Sequence, residues 1–281
     1  MASAKTLSVE PERRGFNFEL HARNQQLVKE GVKPPKMMKT GTTTAAVVFK
    51  DGVVLGADTR ATGGNMVMNK NCAKIHFLAR NMYCLGAGTA ADTEYVTRLM
   101  AGKLEMLSMS TRRVAPVKAA VRMLKQMLFR YQGHIQAALI VGGVDTLGPH
   151  IISIAPHGSS DNAPYLAMGS GSIAAMSVLE TYFRPDMTRD EAVKLIRDAI
   201  NAGVTNDLFS GSNIDICVIT KDKSEVVRPY EQNQPDILKK ENSYVFQRGK
   251  TTVLSQTVKK IDYQVVSQET RKITEEPMET S

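Results

Sequence analysis

No tryptophan occurs in the chain, and its three cysteines, Cys72, Cys84 and Cys217, stand far apart with neither a CxxC pair nor metal-ligand spacing. That usage suits a reducing compartment better than a disulfide framework, and reads as core or pocket thiols. No apolar run approaches the roughly eighteen residues a bilayer demands, and charges stand where a secretory leader carries its apolar stretch, so a soluble, non-secreted protein is expected. Aromatic residues make up 6% and form no binding ladder. Half of the net charge of +8 comes from residues 1–41, where eight Lys/Arg face four Asp/Glu. The rest forms no basic stripe, and nucleic-acid binding is not expected.

The 281 residues, 42% of them hydrophobic, can bury one substantial core. Residues 1–41 are polar, contain Gly31 and Pro34-Pro35 and show no sustained period, as a leader would. From Thr43 to Phe49 the chain becomes β-branched and alternating, Asp51-Gly52 marks a hairpin, and Val53 to Asp58 returns. Cys72–Leu78 and Met82–Ala87 form a second pair around Arg80-Asn81. Two helices follow, with apolar faces at Val96, Leu99, Met100, Leu104 and Leu107, then at Val117, Val121, Leu124, Leu128 and Tyr131. Strands resume at Ala137–Val141, Ile151–Ala155 and Tyr165–Met168. A second helix pair carries Ala175, Val178, Leu179 and Tyr182, then a capping box at Thr188 and Glu191, and ends at Gly203. Ile214–Thr220 and Val226-Val227 close the series. Strands, helix pair, strands, helix pair, strands is not a parallel βαβ order; it predicts an α+β fold of two packed antiparallel sheets with helices outside. The segment 222–281 balances ten Lys/Arg against ten Asp/Glu, carries strand-like pieces at Tyr244–Phe246 and Thr251–Leu254, and has no core of its own.

Gly86–Ala91 and Gly169–Ala174 both match the GxGxxA dinucleotide fingerprint. A nucleotide-binding fold needs the following helix to lead into a parallel strand, whereas here each leads into another helix. Tight strand-to-helix turns explain the glycines, and leave N–H groups that suit an oxyanion.

Thr42-Thr43-Thr44 begins the first strand, and Gly41 distinguishes Thr42 from its neighbours. A hydroxyl that attacks the carbonyl just before it needs a small, flexible residue there. Scission would put a free amine, with an ordinary pKa of about 7.7 to 8.0, on the residue that bears the hydroxyl. That pair is a known nucleophile arrangement, and residues 1–41 would be a propeptide that blocks the base.

The stretches "KTGTTTAAVVFKDGVVLGADTRAT", "NKNCAKIHFL", "CLGAGTAADTE", "MLKQMLFRYQG", "PHGS", "MGSGS" and "NDLFSGSNIDICVI" resemble the β-type subunits of the 20S proteasome, which are N-terminal-nucleophile hydrolases, and in particular their trypsin-like branch. The resemblance implies a four-layer αββα sandwich and a threonine endopeptidase, a zymogen until residues 1–41 leave. It assigns Thr42 as nucleophile, Asp58 and Lys74 as a supporting ion pair, Ser170, Asp207 and Ser210 to the network around the amine, and the Gly88 N–H to the oxyanion. Thr62, Gly88 and Ala90 would pair with the substrate backbone. Cys72, Lys74 and His76 alternate on one expected strand, so that Cys72 and His76 flank the lysine beside Gly86. With Glu94, and with Asp92 adding to the local potential, they would form a pocket for Arg or Lys side chains. Partners would be α and β subunits in stacked rings and unfolded polypeptides, with no nucleic acid, membrane, metal or cofactor, in cytoplasm and nucleus. Residues 42–221 would be the hydrolase domain, and 222–281 an extension lying on a neighbouring subunit. The alternative is a non-catalytic ring subunit, against which the intact Gly41, Thr42, Asp58 and Lys74 stand.

Overall fold

The central strands are apolar on both faces, and their residue parity sorts the side chains into separate cores. The computed structural model describes residues 19–32, 40–232, 249 and 253–270. In chain order the elements are α1 (Glu19–Lys29), β1 (Thr44–Phe49), β2 (Gly52–Asp58), β3 (Ala61–Gly63), β4 (Met66–Asn69), β5 (Ile75–Ala79), β6 (Met82–Gly88), α2 (Ala90–Thr111) and α3 (Val117–Arg130). There follow β7 (Ala137–Asp145), β8 (Gly148–Ile154), β9 (Ser160–Asn162), β10 (Tyr165–Met168), α4 (Ser172–Tyr182), α5 (Arg189–Asn206), β11 (Ile214–Thr220) and β12 (Ser224–Glu231). One sheet runs β10-β1-β2-β11-β12 and the other β5-β6-β7-β8-β9. Every strand pairing in them is antiparallel.

Along β1, Ala45, Val47 and Phe49 face α4 and α5, while Ala46 and Val48 turn to the opposite sheet. On β11, Ile214, Ile216 and Val218 take the helix side and Cys217 and Ile219 the sheet side. Leu139 and Val141 of β7 pack under α2 and α3, and Ile140 faces between the sheets with Leu55 and Leu85. Three cores therefore separate four layers, as the resemblance implies. Each fully buried Leu or Ile contributes about 1.5–3 kcal/mol of apolar burial.

Several boundaries differ from expectation. The leader, periodless in sequence, carries α1, closed by Gly31 at φ 87° with its N–H on Val28 O. The ribbon β3-β4 turns at Gly64 and was not expected. The capping box at Thr188 is present, but α5 runs past Gly203 to Asn206. A side chain at Gly203 would meet Thr43 Oγ1 at 2.4 Å, so this glycine is there for close packing and not to end the helix. The first sheet also continues past residue 221 through β12, and the compact units are Met1–Pro235 and Asp236–Ser281. Of the expected tail strands, Tyr244–Phe246 and Thr251-Thr252 lie outside the described residues, and Val253-Leu254 is not in a strand. Val253, Leu254, Val258, Ile261, Tyr263, Val265 and Val266 of the second unit are exposed.

Candidate active site

Thr42 stands two residues before the first rung of β1, where Thr44 pairs with both Met168 and Ala57. Its surroundings leave it 5% exposed. Gly171 N–H donates to Thr42 O at 3.2 Å and Asp58 N–H to Thr43 O at 3.1 Å. Gly169, at φ 99°, is required: a Cβ there would lie 2.0 Å from Thr42 O. Gly41 has a reason beyond flexibility, because its Cβ would overlap Phe209 Cβ at 1.8 Å. The Thr42 hydroxyl donates to Gly41 O at 2.6 Å, back onto the peptide bond that precedes it.

Asp58, at the end of β2, is fully buried and Lys74 6% exposed, with Nζ 2.6 Å from Asp58 Oδ1. Thr43 N–H also donates to Oδ1 at 2.9 Å, while Gly211 and Arg60 N–H groups reach Oδ2 at 3.0 and 3.2 Å. Three backbone donors and one ammonium thus satisfy a carboxylate that would otherwise be costly to bury.

On the other side, Ser170 and Ser210 both donate to Asp207 Oδ2 at 2.6 Å. Thr43 Oγ1 donates to Ser210 Oγ at 2.7 Å, and Thr42 N–H to Ser170 Oγ at 3.1 Å. Burial alone would raise the Asp207 pKa, but the two serine hydroxyls, Phe209 N–H and the Lys74 charge outweigh it and hold the carboxyl below its ordinary value. Asp207 is therefore an anion that can orient donors, and Ser170 links it to the Thr42 nitrogen.

Thr62 and Gly88, expected to meet the substrate backbone, here meet the leader. Gly41 N–H donates to Thr62 Oγ1 at 2.9 Å, and the Thr40 hydroxyl donates to Gly88 O. Gly88 adopts φ 106°, and a Cβ would strike Gln136 O at 2.3 Å. Ala90 is the exposed first residue of α2.

The expected strand through Cys72, Lys74 and His76 is corrected: β5 begins at Ile75, and only His76 lies in it. The preceding residues are diverted to Thr59, whose carbonyl takes Cys72 N–H at 2.9 Å and whose hydroxyl donates to Lys70 O at 2.8 Å. Gly86 does not leave empty space. Its missing Cβ lets Thr93 Cβ and His76 Nε2 approach to 3.0 and 3.1 Å of that point. Glu94 is paired with Arg98 at 2.7 Å on the surface, and Asp92 accepts Gln136 N–H at 2.9 Å, so its carboxylate fastens α2 to the start of the β7 strand. Burial lowers the His76 pKa, against the nearby charge of Glu94.

Residues 38–219 match the proteasome subunit family. The chain belongs to that family. Proteasome subunit beta type-7-B of Arabidopsis thaliana is 52% identical over 244 residues, covering 87% of this chain and 89% of its own length. Proteasome subunit beta type-2 of Saccharomyces cerevisiae is 49% identical, with 87% and 94% covered, and proteasome subunit beta type-10 of Bos taurus is 47% identical, with 92% and 95% covered. This is a β-type subunit, of the N-terminal threonine peptidases that assemble with α and β subunits in a stacked-ring core.

Some of the β subunit's site was missed in the sequence. Thr43 has a buried hydroxyl inside the serine network, and Gly171 and Gly203 lack side chains where its own stands. Gly211 supplies an N–H to Asp58 across 153 positions. The "SGS" at 210–212 was the available signal, since a glycine between polar residues marks a backbone free to approach something closely.

Proposed function

We propose that this β subunit cleaves peptide bonds after Arg and Lys, with Thr42 as nucleophile, once residues 1–41 have been removed by its own chemistry. The observation that carries the proposal is the Thr42 hydroxyl on Gly41 O, set between Lys74–Asp58 and Ser170–Asp207. Attack of Oγ on the Gly41 carbonyl carbon transfers the acyl group from nitrogen to oxygen, and the nitrogen gains the proton that the hydroxyl gives up. Water hydrolyses the ester, releasing a Gly41 carboxylate and leaving Thr42 with its hydroxyl and a free amine.

Substrate cleavage repeats the attack on a second carbonyl. The Thr42 amine, through a water, takes the hydroxyl proton and returns it to the leaving amine, and water hydrolyses the acyl ester. The Lys74 ammonium favours the developing alkoxide, Asp58 holds that ammonium, and Ser170 with Asp207 orients the amine. The Gly88 N–H is the donor proposed for the oxyanion. Basic specificity draws its support from His76 and from the charge of Glu94 that acts on it.

The deciding experiment is the N-terminal residue of the subunit isolated from assembled particles. Thr42 is expected there, and Thr42→Ala should retain the Gly41–Thr42 bond and lose all hydrolysis. A mature chain starting at Thr43 or Thr44 would rule the mechanism out.

A further inference from the structure

Lys74 stands one residue before β5, so strand pairing alone does not fix it. On its C-terminal side Gly86 N–H reaches Lys74 O at 3.1 Å. On its N-terminal side the chain is held at Cys72 by Thr59 O and, one residue earlier, at Asn71 by the side chain of Arg228 of β12: Nη2 donates to Asn71 O at 2.6 Å and to Asn71 Oδ1 at 3.1 Å. The same guanidinium donates through Nε to Asp215 Oδ2 at 2.9 Å.

Asp215 is 1% exposed on β11, directly opposite Ala57 and so beside Asp58 in the β2-β11 ladder. Its Oδ1 has no hydrogen-bond partner among the described residues. Burial raises its pKa against the pull of Arg228. An ion pair whose carboxylate is buried and half-satisfied while its guanidinium is 35% exposed adds little to the stability of a sheet. As an orienting device it has a clear use. Asp215 fixes the guanidinium plane, and the fork of Arg228 then ties the lysine-bearing segment to β11 and β12, of which β11 pairs directly with the strand that carries Asp58.

We propose that Arg228, held by Asp215, is a positioning residue for Lys74: it sets the segment so that Nζ meets Asp58 Oδ1 at the active threonine. The proposal rests on the role given to Lys74 above. Arg228→Lys keeps a cation against Asp215 but cannot grip Asn71 with a fork. Asp215→Asn with Arg228→Gln removes both charges, so no buried carboxylate is left unpaired.

Each variant is assembled into core particles and assayed on a peptide ending in arginine, with incorporation and thermal stability measured alongside. Both should incorporate normally and lose about tenfold in kcat, with KM within about twofold. Wild-type kcat in either, or a loss confined to KM or to incorporation, overturns the proposal. Lys74→Ala in parallel separates the two levels. If that particle still hydrolyses the peptide, the role of Lys74 is wrong, whereas an inactive Lys74→Ala beside a fully active Arg228→Lys refutes the clamp alone.

Discussion

Thr43 Oγ1 donates to Ser210 Oγ at 2.7 Å, so the residue after the candidate nucleophile is a strut of the site and not merely the approach to a strand. Its backbone N–H goes to Asp58, joining the serine network to the lysine pair through one residue. Thr43→Val, similar in shape, should cost about 1 kcal/mol of stability and slow leader removal. Gly171→Ala, whose new Cβ would stand 1.9 Å from Thr43 Oγ1, should be worse on both counts. Denaturant midpoints and the fraction of unprocessed chain measure the two effects.

The Asp58–Lys74 pair predicts an asymmetry. Lys74→Ala should abolish hydrolysis while leaving a folded subunit, since Asp58 keeps its three N–H donors. Asp58→Ala should cost about 3–5 kcal/mol, because it strands a buried ammonium. Circular dichroism melts of the two proteins beside the wild type would distinguish them, and equal melts of the two variants would refute the asymmetry.

Charge specificity should be tunable from the surface. Glu94 is 60% exposed and shared with Arg98, so Glu94→Gln should weaken hydrolysis after arginine by no more than about fivefold. Arg98→Ala should strengthen it by releasing the carboxylate. Both effects should fade in high salt, while cleavage after apolar residues stays level. A change of the same size on apolar substrates would sink the pocket assignment.

His76 gives a pH signature. Burial lowers its pKa from 6.5 and the Glu94 charge opposes that, so the ring is neutral at pH 7 and gains charge only on acidification below 6.5. Its contribution to stability is full above pH 6.5 and declines as pH falls toward the lowered value, because the unfolded chain takes the proton first. In the pocket the new charge would repel a basic substrate. KM for an arginine peptide should stay flat from pH 8 to 6.5 and rise below, and His76→Asn should flatten the acidic side.

The exposed apolar residues of the second unit, from Val253 to Val266, predict that truncation after Pro235 impairs ring assembly more than folding of the isolated chain. Native electrophoresis of reconstituted particles would show it. Normal assembly of the truncated subunit would remove the tail from the interface.

The sequence carried the layers because strand parity and helix faces are local patterns, and it carried Thr42 because Gly41 adjoins it. The positions of Asp58 and Lys74 came from family likeness, and the ion pair between them is consistent with that. What stayed hidden depends on distant partners. Ile75 begins β5 because Thr59 captures the backbone at Lys70 and Cys72, and no period in the sequence records a carbonyl taken from elsewhere. Arg228 and Asp215 resemble ordinary strand residues until the guanidinium is seen at Asn71. Gly86, expected to border a pocket, is instead the place where Thr93 and His76 close in.

The bonds from Thr40 to Gly88 O and from Gly41 N–H to Thr62 Oγ1 place the leader's last residues in the cleft as a tethered occupant. While the Gly41–Thr42 bond is intact, the tether keeps their local concentration high whatever the solution around them. The proposed scission would turn the same residues into a diffusing rival that competes only at its bulk concentration. Two hydrogen bonds of about 1 kcal/mol each are a weak grip against dilution. The proposed cut, in exposing the amine, would therefore also clear the cleft, and a released leader would have to be supplied in large excess to close it again.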